Sequence, residues 1–291
     1  MEKQVRGWPV LWSAITALSW GVASAQVAAP SSSTRTVRVP VLSKVATGAT
    51  FSLEAFIYRP TTGGRHPLVL LSHGSSGGDL KQEAPQTEQA KFFTDRGYVV
   101  LVSMRRGRGT SGGVSLESDV KNCNPASWRV GLNAAYEDVT AGLDFAATMS
   151  DVDATKVVLA GESRGGFLSV AYAAQGARRS RIIGVINFVG GWVAQAEDKC
   201  PVDFNEVAYR EYGGLTMIPE LWLYGDNDRF YSTRSIRSYP KAYTSRGGRL
   251  TFDLIAGVPN NGHWLPGYPD LWSKQVDRYL ASRGLPAAAH R

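Results

Sequence analysis

Cysteine is scarce in this chain, with two residues among 291, too few for a disulfide scaffold and in a spacing that matches no zinc pattern. Histidine is nearly as scarce, at four, so few residues qualify as a general base. No uninterrupted apolar run reaches the roughly 20 residues that a membrane-spanning helix needs. A dense basic stripe is also lacking. The 32 basic residues outnumber the 25 acidic ones, for a formal charge of +7, but they are spread along the chain with short clusters such as Arg105, Arg106 and Arg108, which argues against a nucleic-acid partner. Internal repeats, low-complexity tracts and interdomain linkers are missing, and hydrophobic residues at 43% with charged residues at 20% exclude a disordered chain.

The first residues read as an address. Lys3 and Arg6 precede an apolar stretch from Trp8 to about Val22, interrupted by Pro9, Ser13, Thr16 and Ser19, and Ala23, Ser24 and Ala25 supply a small-residue cleavage pattern. Residues 1–25 are therefore expected to be a signal peptide, and residues 26–291 a single domain, secreted or periplasmic and free of the membrane after cleavage. In an oxidising compartment Cys123 and Cys200 are expected to pair.

From Arg35 onward short apolar runs alternate with helical patterns, the signature of an α/β fold. Arg35 to Val41 and Phe51 to Tyr58 read as an antiparallel pair. Leu68 to Leu71, Tyr98 to Val102, Val157 to Ala160, Ile182 to Phe188, Leu221 to Tyr224 and Leu250 to Ile255 are compact runs suited to a parallel sheet covered on both faces. Helices are expected over Gln86 to Asp95, Tyr136 to Met149, Arg164 to Gln175, Thr233 to Ser245 and Leu271 to Ser282. Ser103 to Ala135 and Val189 to Pro219 break the alternation. Both follow strands at the ligand-binding edge of such sheets and are expected to wall a pocket, with the disulfide tying them together over one site.

Gly161-Glu162-Ser163-Arg164-Gly165 stands between a buried strand and a helix, the context of a nucleophile elbow. The glycines make room for a tight turn that lifts Ser163 above the sheet, at a helix N-terminus that favours an oxyanion. A serine hydroxyl needs a base. His66 precedes a strand, His73 starts a turn and reads as a loop organiser, and His290 lies in the tail. His263 follows the last strand and returns to the rim that bears Ser163. For the acid that orients it, Asp226 and Asp228 both follow the strand ending at Tyr224. Asp228 is preferred because Asp226, directly after Gly225, is placed to stabilise the turn, while Asp198 and Asp203 belong to a less common arrangement. The backbone N–H groups of Ser75 and Arg164 are assigned to the oxyanion hole. Trp192, Phe204, Tyr209, Tyr212 and Trp264 are equally compatible with a pocket lining and with packing, and the arginine cluster reads more readily as structurally paired than as a substrate anchor.

With these residues in view the sequence resembles the α/β-hydrolase superfamily, in its dienelactone hydrolase-like and prolyl oligopeptidase-like branches, from about Thr34 to Arg283. The resemblance rests on the His73-Gly74 turn, the Gly161 to Gly165 elbow, the Gly225-Asp226-Asn227-Asp228 loop, the Gly262-His263 loop and Arg106-Gly107-Arg108-Gly109, which is similar to the Arg-Gly-x-Gly segment of prolyl peptidases. It implies a mostly parallel eight-stranded sheet with helices on both faces and a small lid insertion after the sixth strand. Relatives commonly carry the acid three residues after that glycine, which supports Asp228. Dienelactone hydrolases proper use a cysteine where this chain has Ser163, so their substrate does not carry over. The function expected is a serine hydrolase acting on a small-molecule ester without metal or organic cofactor. An exported peptidase or amidase is the alternative, and a non-catalytic binding protein is disfavoured because nucleophile, base and acid are all present.

Overall fold

The computed structural model describes residues 33–289 except 47, 76–78, 118–122, 124, 195–199 and 201. The expected signal peptide, Asp198 and His290 lie outside the described residues. What is described belongs to one compact unit, Ser31–Arg291.

Eight strands form one open sheet: β1 Ser33–Leu42, β2 Thr50–Arg59, β3 His66–Ser72, β4 Val99–Ser103, β5 Val152–Glu162, β6 Ile182–Phe188, β7 Glu220–Gly225 and β8 Leu250–Ile255. Their spatial order is β1-β2-β4-β3-β5-β6-β7-β8. β1 and β2 are antiparallel to each other, and β2 is antiparallel to β4. All other neighbours are parallel. This is the architecture of an α/β hydrolase. Every residue of β3, β4 and β7 is buried, which is why these strands carry unbroken apolar runs rather than alternation.

Helices α1 Thr87–Thr94, α2 Pro125–Ala147, α3 Arg164–Gln175, α4 Phe204–Gly213, α5 Thr233–Thr244 and α6 Pro269–Ser282 fill the connections. α3 is buried from Gly165 through Ala174, so its apolar residues surround it instead of forming a stripe. Two differences from the sequence reading are informative. α2 begins about eleven residues earlier than expected, because the stretch from Pro125 lacks a clean polar face yet buries Trp128 and Leu132. The segment after β6 contains α4, whose N-terminus is capped by the Asp203 carboxylate accepting from Asn205 N–H and Glu206 N–H. That carboxylate is therefore occupied as a helix cap.

The chain order reverses between β3 and β5: after β3 it runs to β4 on one side, then crosses to β5 on the other. Such a switch point opens a crevice at the carboxyl ends of the two strands. Leu71 pairs with Ala160 and Ser72 with Gly161, so the loop after β3 and the elbow after β5 emerge side by side.

Candidate active site

Ser163 stands at the elbow between β5 and α3 with φ 53° and ψ −121°, a left-handed backbone region that a serine adopts only under strain, at about 1–3 kcal/mol. The surrounding chain holds it there. Its N–H donates to Phe188 O at 2.9 Å, and its carbonyl accepts from Phe167 N–H at 3.1 Å and Gly191 N–H at 3.2 Å. A side chain on Gly161 would collide with the Gly165 backbone, and one on Gly165 with the Ser72 carbonyl, so this turn closes only with glycine at both positions.

Asp228 and His263 arrive on two loops that are knitted to each other. Asn261 Oδ1 accepts from Arg229 N–H and His263 N–H, both at 3.0 Å, while Gly262 N–H donates to Asn227 O at 3.2 Å. The result is a hydrogen bond of 2.9 Å between His263 Nδ1 and Asp228 Oδ2, with the acid side chain fully buried and the imidazole 11% exposed. Asp228 Oδ1 accepts from Phe230 N–H at 2.7 Å and Tyr231 N–H at 3.1 Å, so both carboxylate oxygens are committed. Asp226 is exposed, with its N–H donating to Ile255 O. Phe230 stacks on the imidazole at 4.3 Å, a contact that sequence reasoning missed, since an aromatic two residues after an acid carries no signal of its own.

Ser163 and His263 open onto one cavity of about 430 Å³, lined also by Gly74, Ser75, Glu162, Phe230, Trp264, Pro266 and Gly267. The loop from β3 forms its far wall, and the arginine cluster sets that loop's shape. Arg105 Nη1 donates to His73 O at 2.6 Å, Arg105 Nη2 to Gly74 O at 3.1 Å and Arg108 Nη1 to Ser75 O at 2.7 Å. Across a planar trans peptide the N–H points opposite to the carbonyl, so tying down Gly74 O directs the Ser75 N–H away from Arg105. His73 lies in the same web: its Nδ1–H donates to Gly74 O at 2.7 Å and its Nε2 accepts from Arg105 N–H at 3.0 Å. Burial and the Arg105 charge push its pKa well below the ordinary value, so it is a neutral organiser of the loop.

Glu117 joins the arginines. Its carboxylate pairs with Arg105, with Arg108 at 3.0 Å and with Arg164 at 3.3 Å. Burial alone would raise its pKa, but the three guanidinium charges and the Arg105 hydrogen bond outweigh that and hold it far below the usual carboxylate range. The third arginine of the cluster, Arg106, is engaged elsewhere, bonding both oxygens of Asp138 and one of Glu137. Arg105, Arg106 and Arg108 are all at most 4% exposed, and their role is structural pairing. Glu117 went unnoticed in the sequence because its partners are set by folding.

Two expectations are corrected. Trp192, Phe204, Tyr209 and Tyr212 do not line the Ser163 cavity; they are buried in the core, where Phe167 of α3 lies between 5.0 and 6.1 Å from each ring. Trp264 does line it. Cys123 and Cys200 are joined in a disulfide with Cα atoms 5.4 Å apart, but the bridge borders a separate cavity of about 190 Å³ with Trp128, Phe204 and Tyr212. It does not roof the cavity that Ser163 and His263 share. The ring nitrogens of His66 lie 2.9 Å from Gly97 O and 2.9 Å from Thr62 O, and His66 is not among the residues lining this cavity.

The family pattern of X-Pro dipeptidyl-peptidase (S15 family) matches residues 49–194, which include the loop after β3, the arginine cluster and the elbow. A quorum-quenching protein, AidA, of Acinetobacter baumannii (strain MDR-ZJ06) is 28% identical over 139 residues, 48% of this chain and 41% of its own length. The chain thus spans about two-fifths of that curated relative. Among solved structures, Est1E from Butyrivibrio proteoclasticus with bound ferulic acid superposes with a TM-score of 0.60 at 16% identity, covering 85% of this chain and 98% of the other. A puromycin-hydrolysing peptidase of Mycobacterium tuberculosis superposes with a TM-score of 0.63 at 17% identity, covering 89% and 40%. At these identities the likeness speaks for the fold alone.

Proposed function

We propose that this chain, which belongs to the X-Pro dipeptidyl-peptidase (S15) family, is an exported serine hydrolase that cleaves carboxylic esters through Ser163, His263 and Asp228. The observation that carries this reading is the 2.9 Å bond from His263 Nδ1 to a buried Asp228, at a cavity that Ser163 also lines. With its proton held on Nδ1 by the carboxylate, the imidazole offers the Nε2 lone pair as a base.

In this mechanism Ser163 Oγ attacks the ester carbonyl while His263 Nε2 takes its proton. The oxyanion accepts hydrogen bonds from the N–H groups of Ser75 and Arg164, groups already oriented before charge develops. His263 then protonates the departing alcohol, and water activated by the same nitrogen releases the acid. Asp228 stabilises the imidazolium formed on the way. Residues 1–25 direct export, and the Cys123–Cys200 disulfide suits an oxidising compartment. Among the described residues no helix is long and apolar enough to cross a membrane.

The peptidase reading stays in view because the family is named for a peptidase. A fluorophosphonate probe, followed by parallel assays with a short p-nitrophenyl ester and an aminoacyl anilide, tests both. Labelling at Ser163 with turnover of the ester is expected, and Ser163→Ala should lower turnover by at least about 10⁴ while keeping its thermal stability. Anilide turnover exceeding that of the ester would replace the first reading by the second; absence of labelling in folded protein overturns both.

A further inference from the structure

Among the described residues Glu162 is the one carboxylate that lines the cavity at Ser163, and the hydrolytic mechanism does not use it. Two neutral amides hold it. Gln86 Nε2 donates to Oε1 at 2.9 Å and Gln89 Nε2 to Oε2 at 3.2 Å, which fixes the carboxylate without cancelling its charge. Among the described residues no lysine or arginine lines the cavity. The buried guanidiniums of Arg105, Arg108 and Arg164 converge on Glu117. Glu162 is also close to the chemistry. A methyl group built on Gly74 would touch Glu162 Oε1 and Ser163 Cβ, each at 3.3 Å, so carboxylate and nucleophile flank the same glycine.

Two aromatic rings share the lining with Glu162. Phe230 and Trp264 line the cavity and are 42% and 52% exposed, so part of each ring is within reach of a bound molecule. Aromatic faces carry negative electrostatic potential and attract ammonium groups. A carboxylate and two aromatic rings, with no lysine or arginine side chain in the lining among the described residues, suit a positively charged nitrogen.

We propose that Glu162, Phe230 and Trp264 form a subsite for an ammonium group carried by the substrate next to its scissile carbonyl. The proposal rests on the hydrolase reading of Ser163 and narrows its substrate class to esters bearing a cationic nitrogen. That nitrogen belongs either to the acyl arm or to the alcohol arm, and the same chemistry serves both. A partly exposed ion pair together with a cation–π contact corresponds to about tenfold discrimination.

The test uses the purified full chain and pairs of isosteric esters in which a trimethylammonium group replaces a tert-butyl group. One pair carries it on the acyl chain, the other on the alcohol. The readout is the ratio of kcat/KM within each pair. For at least one pair a ratio of about ten in favour of the cation is expected at low salt, falling as salt is added, and falling to about two- to threefold in Glu162→Gln, where the aromatic contact alone remains. The pair that shows the preference identifies the arm. Ratios near one for both pairs in the wild-type protein overturn the proposal, as does a preference undiminished in Glu162→Gln. Should that variant not fold, the wild-type ratios and their salt dependence decide alone. Fluorophosphonate labelling of Ser163 with uncharged ratios near one removes the subsite and leaves the hydrolase standing; no labelling and no turnover removes both.

Discussion

Glu117→Gln is the sharpest test of how the loop after β3 is held. The substitution keeps the side chain's shape and removes one negative charge from a site where Arg105, Arg108 and Arg164 are 3%, 2% and 12% exposed. Removing one partner from a buried ion pair costs about 3–5 kcal/mol, because the remaining charge is left without compensation. Against a total stability of roughly 5–15 kcal/mol that is a large loss, and for a domain of this size it lowers Tm by about 6–20 °C. The pH dependence has a definite sign. Glu117 titrates far below its ordinary value when folded, so its contribution is complete above the unfolded carboxylate range, near pH 4.5, and shrinks as pH falls below it. The Tm gap between wild type and Glu117→Gln should therefore be wide at pH 7 and narrower at pH 3.5. Turnover should also fall, by about 10 to 100-fold, part of the 10² to 10³ expected for losing an oxyanion donor outright, since the carbonyls that orient Ser75 N–H would lose rigid partners. Thermal unfolding at the two pH values and steady-state ester hydrolysis measure all three effects. A Tm within about 3 °C of wild type with unchanged turnover would refute the reasoning and show that the arginines hold the loop without Glu117.

Asp228→Asn should reduce kcat by about 10³ to 10⁴ with little change in Tm, because the amide still accepts from the backbone but no longer fixes the imidazole tautomer; stopped assays and a melting curve check this. Replacing both Cys123 and Cys200 by serine frees a loop of 77 residues and should cost about 4 kcal/mol in the chain-entropy model. Reductant should lower the wild-type Tm towards that of the double variant and leave the variant unmoved. Glu220 is fully buried against Trp222, whose Nε1–H donates to Oε2 at 2.6 Å, and burial pushes its pKa up to about 8. The folded chain therefore keeps a proton that the unfolded chain loses near pH 4.5, so stability falls as pH rises from there to about 8. Glu220→Gln should be more stable than wild type at pH 8.5 by about 1–3 kcal/mol, with the difference vanishing near pH 4; equal Tm values at pH 8.5 would contradict it.

Much of this molecule was legible before folding was considered. Apolar runs such as Tyr98 to Val102 and Leu221 to Tyr224 announce strands because a strand covered on both faces cannot alternate. The elbow is legible because its tight turn admits only glycine at Gly161 and Gly165, a local steric demand written in adjacent residues. His263 was reachable by elimination among four histidines. Asp228 was preferred over Asp226 from loop chemistry, and the fold leaves Asp226 in solvent while Asp228 is buried against the imidazole.

Other features depended on where distant segments meet. Whether Tyr209 and Tyr212 face a cavity or the core is invisible in their spacing, because an amphipathic face records that it is buried but not against what. The early start of α2 was hidden for a similar reason, its first turns burying Trp128 and Leu132 against parts of the chain distant in sequence. The disulfide was inferable from the expected compartment and the count of two, but its separation from the Ser163 cavity depends on where α2 and α4 meet, with Trp128 against Phe204. Glu117 shows the division most clearly. Adjacent residues dictate strands, turns and the strained serine because backbone sterics act over a few bonds, whereas the pairing of one carboxylate with Arg105, Arg108 and Arg164 is a long-range Coulombic choice that exists only after the sheet has brought those charges out of water and together.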